Sequence, residues 1–166
     1  MGEAKKYILD KNVTEKKMQR MAYEILENNM DENYIVLAGI HESGSVVART
    51  IQKLLAGISD IRTEMITITL DKRSPKEVKL DKNLDFNDKV IIVIDDVVNS
   101  GKTLLYALKP FLEFQPKKIQ TLVLVDRKHK AFSVQADYVG LSIATGFQQH
   151  VYVEVSGDTV NGAYLK

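Results

Sequence analysis

Hydrophobic and polar positions change their period several times along the chain. Met18, Met21, Ala22 and Ile25 recur at i, i+3, i+4 and i+7, which predicts an amphipathic helix over 14–29 with Thr14 as its N-cap. Tyr34 to Gly39 is a short apolar run suited to a buried strand, and His41 to Gly44 reads as a loop. Val47, Ile51, Leu54 and Leu55 then mark a second helix. In 63–70, Met65, Thr67 and Thr69 alternate with Ile66, Ile68 and Leu70, the period of a strand with Thr on one face. Residues 71–88 are polar, charged and contain Pro75, a long loop for a compact domain.

The second half begins with Val90 to Ile94, apolar at every position, as in a parallel strand covered on both faces. Residues 102–115 predict a helix that Pro110 kinks or ends early. Ile119 to Val125 is another buried strand, followed by shorter candidates at 137–140, 151–155 and 162–165. Strands alternating with helices predict an α/β fold with a parallel-dominated, twisted sheet flanked by helices. Ligands of such sheets bind beyond the carboxyl ends of the strands, here just after Gly39, Leu70, Ile94 and Val125.

Composition narrows the function classes. A length of 166 residues fits a single domain. The absence of cysteine excludes disulfides, thiolate metal sites and a cysteine nucleophile. His41, His129 and His150 match no HExxH spacing, which argues against a structural metal. A net charge of +1 argues against a surface that grips nucleic acid all over, while leaving room for a local basic patch. No apolar run reaches membrane-spanning length. The segment Met1-Gly2-Glu3-Ala4-Lys5-Lys6 has neither a signal-peptide core nor a Ser or Thr at position 6 for myristoylation. The expectation is a soluble cytoplasmic protein with no membrane partner.

The chemistry concentrates in one stretch. The strand Val90 to Ile94 runs into Asp95 and Asp96, then Val97-Val98-Asn99-Ser100-Gly101-Lys102-Thr103 and a helix. Gly101 allows close backbone approach to an anion, and the first N–H groups of a helix have no intrahelical partner. The hydroxyls of Ser100 and Thr103 and the charge of Lys102 add to this phosphate cradle. A Walker A loop would require Gly at position 96, where Asp96 would repel a triphosphate. A plain strand-end acid pair before an ordinary helix is the bland alternative. A ligand with a 5′-phosphate, ribose hydroxyls and a divalent cation accounts for the acids and the cradle together.

At these residues the chain resembles the type I phosphoribosyltransferases, and within them the pyrimidine-operon regulators that are also uracil phosphoribosyltransferases. Tyr7-Ile8-Leu9-Asp10, Leu37-Ala38-Gly39-Ile40, Thr67-Ile68-Thr69-Leu70, Asp126-Arg127-Lys128-His129 and Ala136-Asp137-Tyr138-Val139-Gly140 extend the resemblance over nearly the whole chain. It implies a single domain over 1–166, with a small hood from about 1–13 and 126–166. It implies a substrate, phosphoribosyl pyrophosphate (PRPP), with Mg²⁺, and transfer to a nucleobase, foremost uracil, giving a nucleoside monophosphate. Asp95, Asp96 and Arg73 would be catalytic, with Asp95 and Asp96 also meeting the metal. Asn99, Ser100, Gly101, Lys102 and Thr103 would hold the 5′-phosphate, and His41, Glu42, Ser43 and Gly44 would form the pyrophosphate loop. Lys72 and Arg73 would ride a flexible closing loop. Asp126, Arg127, Tyr138 and Val139 would bind the base, Tyr138 by stacking, although an ordinary core tyrosine is an equal reading.

Two positions depart from the pattern of these relatives. Glu42 stands in a loop that usually carries a basic residue, and Asn99 stands where purine-salvage relatives carry Asp. The resemblance also implies a homodimer or higher homo-oligomer. Its alternatives to an enzyme are a pyrimidine-responsive regulator that binds mRNA and a non-catalytic nucleotide sensor.

Overall fold

The computed structural model describes residues 4–146 and 148–166. The reading of the N-terminal signal rests partly on Met1, Gly2 and Glu3, which lie outside the described residues. The central sheet has six strands: β2 (Tyr34–Ile40), β3 (Arg62–Leu70), β4 (Val78–Leu80), β5 (Val90–Val98), β6 (Lys118–Arg127) and β7 (Tyr138–Ile143). Their spatial order is β4-β3-β2-β5-β6-β7. All neighbouring pairs are parallel except β3 with β4.

Period-2 alternation within buried strands sends side chains to both faces. Ile35, Leu37, Ile92, Ile94, Leu122 and Leu124 pack under α1 (Lys11–Asn28) and α2 (His41–Ile58). Val36, Ala38, Ile91, Val93 and Val123 pack on the opposite face with Leu104 and Ala107 of α3 (Lys102–Ala107) and Phe111. A second, three-stranded antiparallel sheet joins both ends of the chain in the order β1 (Lys6–Leu9), β9 (Thr159–Leu165) and β8 (Val151–Ser156). Leu9, Val160, Ala163 and Leu165 attach it to the α1–α2 side of the core.

The structure alters several sequence expectations. Helix α1 begins at Lys11, and its N-cap is Asp10, whose carboxylate accepts from the Val13 N–H at 2.8 Å. Thr14, the expected cap, is buried in the first turn and donates its hydroxyl to the Asp10 carbonyl at 2.7 Å. His41 to Gly44 is the opening turn of α2 rather than a loop. The 71–88 segment is not all loop. β4 pairs with β3, and Phe86 is buried edge-on against Phe111 and Phe114 at ring distances of 5.0 and 5.2 Å. Two irregular parts flank β4: 71–77, where Pro75 alone is buried, and 81–89, which carries Phe86. Helix α3 stops at Ala107, and Pro110 opens a 3-10 turn, Lys109–Glu113, because it lacks the N–H an α-helix needs there.

At the sheet's outer edge, Arg20 of α1 donates to the carbonyls of Val139 and Gly140 on β7, both at 3.0 Å. Among the described residues no helix is long and apolar enough to cross a membrane.

Strand order reverses between β2 and β5, because the chain moves outward from β2 to β3 and β4 and then returns to β2's other side. A doubly wound sheet opens its ligand crevice at such a point. The N-terminus of α2 meets β5 there through Gly44. A Cβ on Gly44 would stand 2.8 Å from the Ile94 carbonyl and 3.2 Å from Asp95 Oδ1. Gly44→Ala therefore pushes α2 off β5 and is expected to cost about 1–3 kcal/mol, read as a lower midpoint in urea unfolding.

Candidate functional site

β5 carries Asp95 and Asp96 past the last buried Ile into the crevice. Asp95 is only 2% exposed, whereas Asp96 is partly exposed. Two local bonds orient the pair: the Asp96 N–H donates to Asp95 Oδ1 at 2.9 Å, and the Val97 N–H donates to Asp96 Oδ1 at 2.8 Å. Burial pushes the Asp95 carboxyl well above its ordinary range, and the neighbouring Asp96 pushes it further. The Lys72 ammonium and the Asp96 N–H oppose that shift.

Two cavities flank the acids, and Lys72 lines both. One, of about 250 Å³, lies between Asp95, Asp96 and the first turn of α2, and His41, Glu42, Ser43 and Gly44 form its other wall. No side chain caps α2, so its first N–H groups remain available to an anion. His41 has a left-handed backbone, φ 49°, and its Nε2 accepts from the Leu70 N–H at 3.2 Å. That bond ties the start of α2 to the end of β3. Glu42 is exposed in the first turn of the same helix.

The second cavity, about 60 Å³, sits under the turn from β5 to α3, with Asp95, Asn99, Ser100, Gly101 and Thr103 around it. Gly101 has φ 88°, and a Cβ there would lie 2.8 Å from Val134 Cγ1. Two N–H groups, of Ala131 and Phe132, donate to the Ser100 carbonyl at 3.0 Å and press the segment after β6 onto this turn. The Lys102 ammonium does not point into the cradle. It donates to the Arg73 carbonyl at 3.5 Å, while Lys109 donates to the Lys76 carbonyl at 3.1 Å, so both lysines hold the 71–77 segment.

A larger cavity of about 600 Å³ opens beyond the ends of β5, β6 and β7. The turn from β5 to α3 contributes Asn99 and Ser100, the exit of β6 contributes Arg127, Lys128, His129 and Ala131, and Thr145 and Gly146 close the far side. Arg127 spans it, donating from Nε to Thr145 Oγ1 at 2.8 Å and from Nη1 to Asn99 Oδ1 at 2.9 Å.

The expected site residues thus fall into two groups. Asp95, Asp96, His41 to Gly44, Lys72, the Asn99–Thr103 backbone and Arg127 converge on one crevice. Four do not. Arg73 is exposed and lines none of these cavities, and Lys72 takes the position facing the acids. Tyr138 is 1% exposed among core side chains, with its hydroxyl donating to Gln120 at 2.7 Å, because β7 turns it inward under α1. It is a core tyrosine and does not stack on a base. The carbonyl of Val139 accepts from Arg20, and Val139 lines none of these cavities. The carboxylate of Asp126 is paired with Lys130 at 2.8 Å, beside the large cavity rather than on its wall. Lys128 and His129, part of the motif after β6, line this cavity, while Ala131, Thr145 and Gly146 lie where periodicity fades and only their position after a strand end marks them.

The acids fit a divalent cation that arrives with its ligand. Asp95 is committed to a backbone N–H, and among the described residues no group of three or more His, Asp or Glu is placed to hold a metal. Mg²⁺ needs no more protein than one or two carboxylates when waters and phosphate oxygens complete its shell.

The family pattern of the phosphoribosyl transferase domain matches residues 6–156. The chain is 31% identical to the bifunctional protein PyrR of Lactococcus lactis subsp. cremoris (strain SK11), over 98% of this chain and 96% of that one. It is 34% identical to the bifunctional protein PyrR of Clostridium novyi (strain NT), over 93% and 92%. Solved structures with the same fold include the hypoxanthine phosphoribosyltransferase of Trypanosoma cruzi (TM-score 0.77, 18% identity, 87% and 85% covered). Another is a hypoxanthine-guanine phosphoribosyltransferase of Bacillus anthracis str. 'Ames Ancestor' (TM-score 0.77, 20% identity, 97% and 98% covered).

The raised Asp95 pKa has a consequence for stability. Between the ordinary carboxylate value of 3.8 and the raised native value, the native state holds more protons than the unfolded chain. Stability therefore falls as pH rises through that window. Asp95→Asn is expected to raise Tm near neutral pH, with the gain shrinking on acidification and vanishing below pH 3.8. Thermal unfolding across pH checks this.

Proposed function

The chain belongs to the phosphoribosyl transferase domain family, of type I fold, and on that premise we propose that it transfers the phosphoribosyl group of PRPP to uracil. The products are UMP and pyrophosphate. The observation that carries this reading is the convergence of Asp95-Asp96, the Asn99–Thr103 turn and the open N-terminus of α2 on the crevice between β2 and β5. In this reading the small cavity takes the 5′-phosphate, which the backbone N–H groups and the hydroxyls of Ser100 and Thr103 hold. Asp96, the more accessible acid, accepts from the ribose hydroxyls and, with Asp95, faces Mg²⁺. When bound with PRPP, that ion neutralises charge on the leaving pyrophosphate. The start of α2, with His41, Ser43 and Gly44, receives the pyrophosphate, and Lys72 supplies positive charge from the opposite wall. Catalysis then consists of orientation and electrostatic stabilisation of a cationic sugar centre and its departing anion.

The large cavity takes the base in this assignment, and Asn99 favours a pyrimidine over a purine. The reading covers a single domain over 1–166, with the β1-β9-β8 sheet as a hood over the α2 side. Glu42, exposed at the mouth of the pyrophosphate side, opposes tight binding of that anion. A second reading, pyrimidine-responsive RNA binding, is favoured by full-length similarity, at 31% identity, to a Lactococcus lactis subsp. cremoris (strain MG1363) relative called a pyrimidine operon regulatory protein. Its signature would be an RNA affinity that falls steeply with salt.

The deciding assay is pyrophosphate release from PRPP and Mg²⁺ with uracil, hypoxanthine, guanine and adenine tested separately. Turnover is expected with uracil, and Asp96→Asn should lower kcat/KM by about 10²-fold or more. Turnover with a purine alone would overturn the base assignment. Absence of turnover with every base would leave the sensor or regulator. Separately, Tyr138→Phe loses the hydroxyl's bond to Gln120 and the long one it accepts from Asn29. It is expected to cost about 1 kcal/mol of stability, read as a lower midpoint in urea unfolding.

A further inference from the structure

We infer that His129 accepts the proton of the incoming nucleobase, an inference that rests on the phosphoribosyl-transfer reading above. Joining a ring nitrogen to C1 of the sugar requires the ring N–H to lose its proton, and a positioned side chain with an accepting atom makes that loss fast. The wall of the large cavity offers few acceptors. Arg127 and Lys128 are donors only. Asn99 is an amide whose Oδ1 is already held by Arg127 at 2.9 Å, and Thr145 Oγ1 is held by the same guanidinium at 2.8 Å. Among the described residues no carboxylate lines this cavity. The nearest in sequence, Asp126, is paired with Lys130 at 2.8 Å. Ser100 and Thr145, the two hydroxyls present, are weak bases. His129 remains, and a neutral imidazole has one accepting nitrogen.

Backbone geometry supports the same residue. His129 adopts φ 69°, a left-handed conformation that a residue with a Cβ takes at a cost. Bonds on either side hold it there: the Lys128 N–H donates to the Ile143 carbonyl and the Ala131 N–H donates to the Ser100 carbonyl, both at 3.0 Å. The first bond fixes the segment to β7 and the second to the phosphate turn, so the strained residue is presented between the two walls of the cavity. The charged groups around it, all on its own segment, are Arg127, Lys128 and the Lys130–Asp126 ion pair. The phosphate turn brings Asn99 and Ser100, and the far wall brings Thr145 and Gly146, none of them ionised.

The step balances as follows. The ring N–H bond breaks and its proton passes to the imidazole. The nitrogen's electron pair forms the bond to C1. The C1–oxygen bond breaks, and its electron pair leaves with pyrophosphate. The exposed imidazolium then returns the proton to water.

The test compares uracil with 5-fluorouracil, whose ring N–H is more acidic and needs a base less. His129→Asn keeps a residue type that tolerates the left-handed backbone and removes the accepting nitrogen. It is expected to lower kcat with uracil by about 10²-fold or more, with a much smaller loss for 5-fluorouracil and an unchanged KM for PRPP. His129→Gly, which adopts this backbone without strain, is the second variant, and added imidazole should restore part of its turnover. Equal losses for the two bases, or no loss, would overturn the assignment, as would a failure of imidazole to rescue a folded His129→Gly protein. Failure of the function reading would look different, because the unaltered protein would then release no pyrophosphate with any base.

Discussion

Two carboxylates at the end of one buried strand are the constraint around which this molecule is arranged. β5 is paired on both sides and covered on both faces, so Asp95 has almost no water to share its charge. The surroundings answer in two ways. The backbone N–H groups of Asp96 and Val97 turn onto the carboxylates, and Lys72 approaches from the loop after β3. Burial and the second acid still win, and Asp95 stays reluctant to ionise. A site in that condition gains from anything positive that enters, because a cation relieves both the desolvation and the mutual repulsion. The cost of burying this pair of acids and the gain a cation would bring to them therefore share one cause.

The framework around the acids was legible because it depends on period and on runs. Strands covered on both faces carry apolar runs, and the runs at 34–39, 90–94 and 119–125 lie inside the strands Tyr34–Ile40, Val90–Val98 and Lys118–Arg127. The acids and Gly101 were visible because a strand, a polar turn and a helix succeed one another within a few residues. Boundaries were less legible. Thr14 and Asp10 are both good capping types, and only the hydrogen bond to Val13 decides between them. His41 to Gly44 looked like a loop because helical character is set by backbone bonds further along α2, which polar side chains do not announce.

Side-chain direction was the least legible. Tyr138 and Val139 sit in a motif that resembles a base-binding segment. Whether a strand residue faces core or ligand depends on pleat and register, and the pairing of Tyr138 with Leu122 turns it under α1. Arg73 and Lys72 are adjacent and chemically alike, yet only Lys72 faces the acids. The reason is that the loop is shorter than composition implied. β4 zips onto β3, Pro75 is buried, and Lys102 and Lys109 hold the carbonyls of Arg73 and Lys76. A lysine expected to hold phosphate is thus occupied with the loop.

The bonds from Arg20 to β7 bear on something other than the crevice. A sheet ends in a strand whose outer carbonyls and N–H groups have no partner, and such an edge recruits strands from other chains. Here a guanidinium from α1 sits on the carbonyls of Val139 and Gly140, a cationic donor with no accepting atom to offer a neighbour. An approaching strand would have to displace a charged donor before forming its first ladder bond. The opposite edge is the short antiparallel β4, with exposed Lys79 at its centre. Both borders of the sheet thereby resist growth into fibrils, a colloidal safeguard built from residues that take no part in the chemistry.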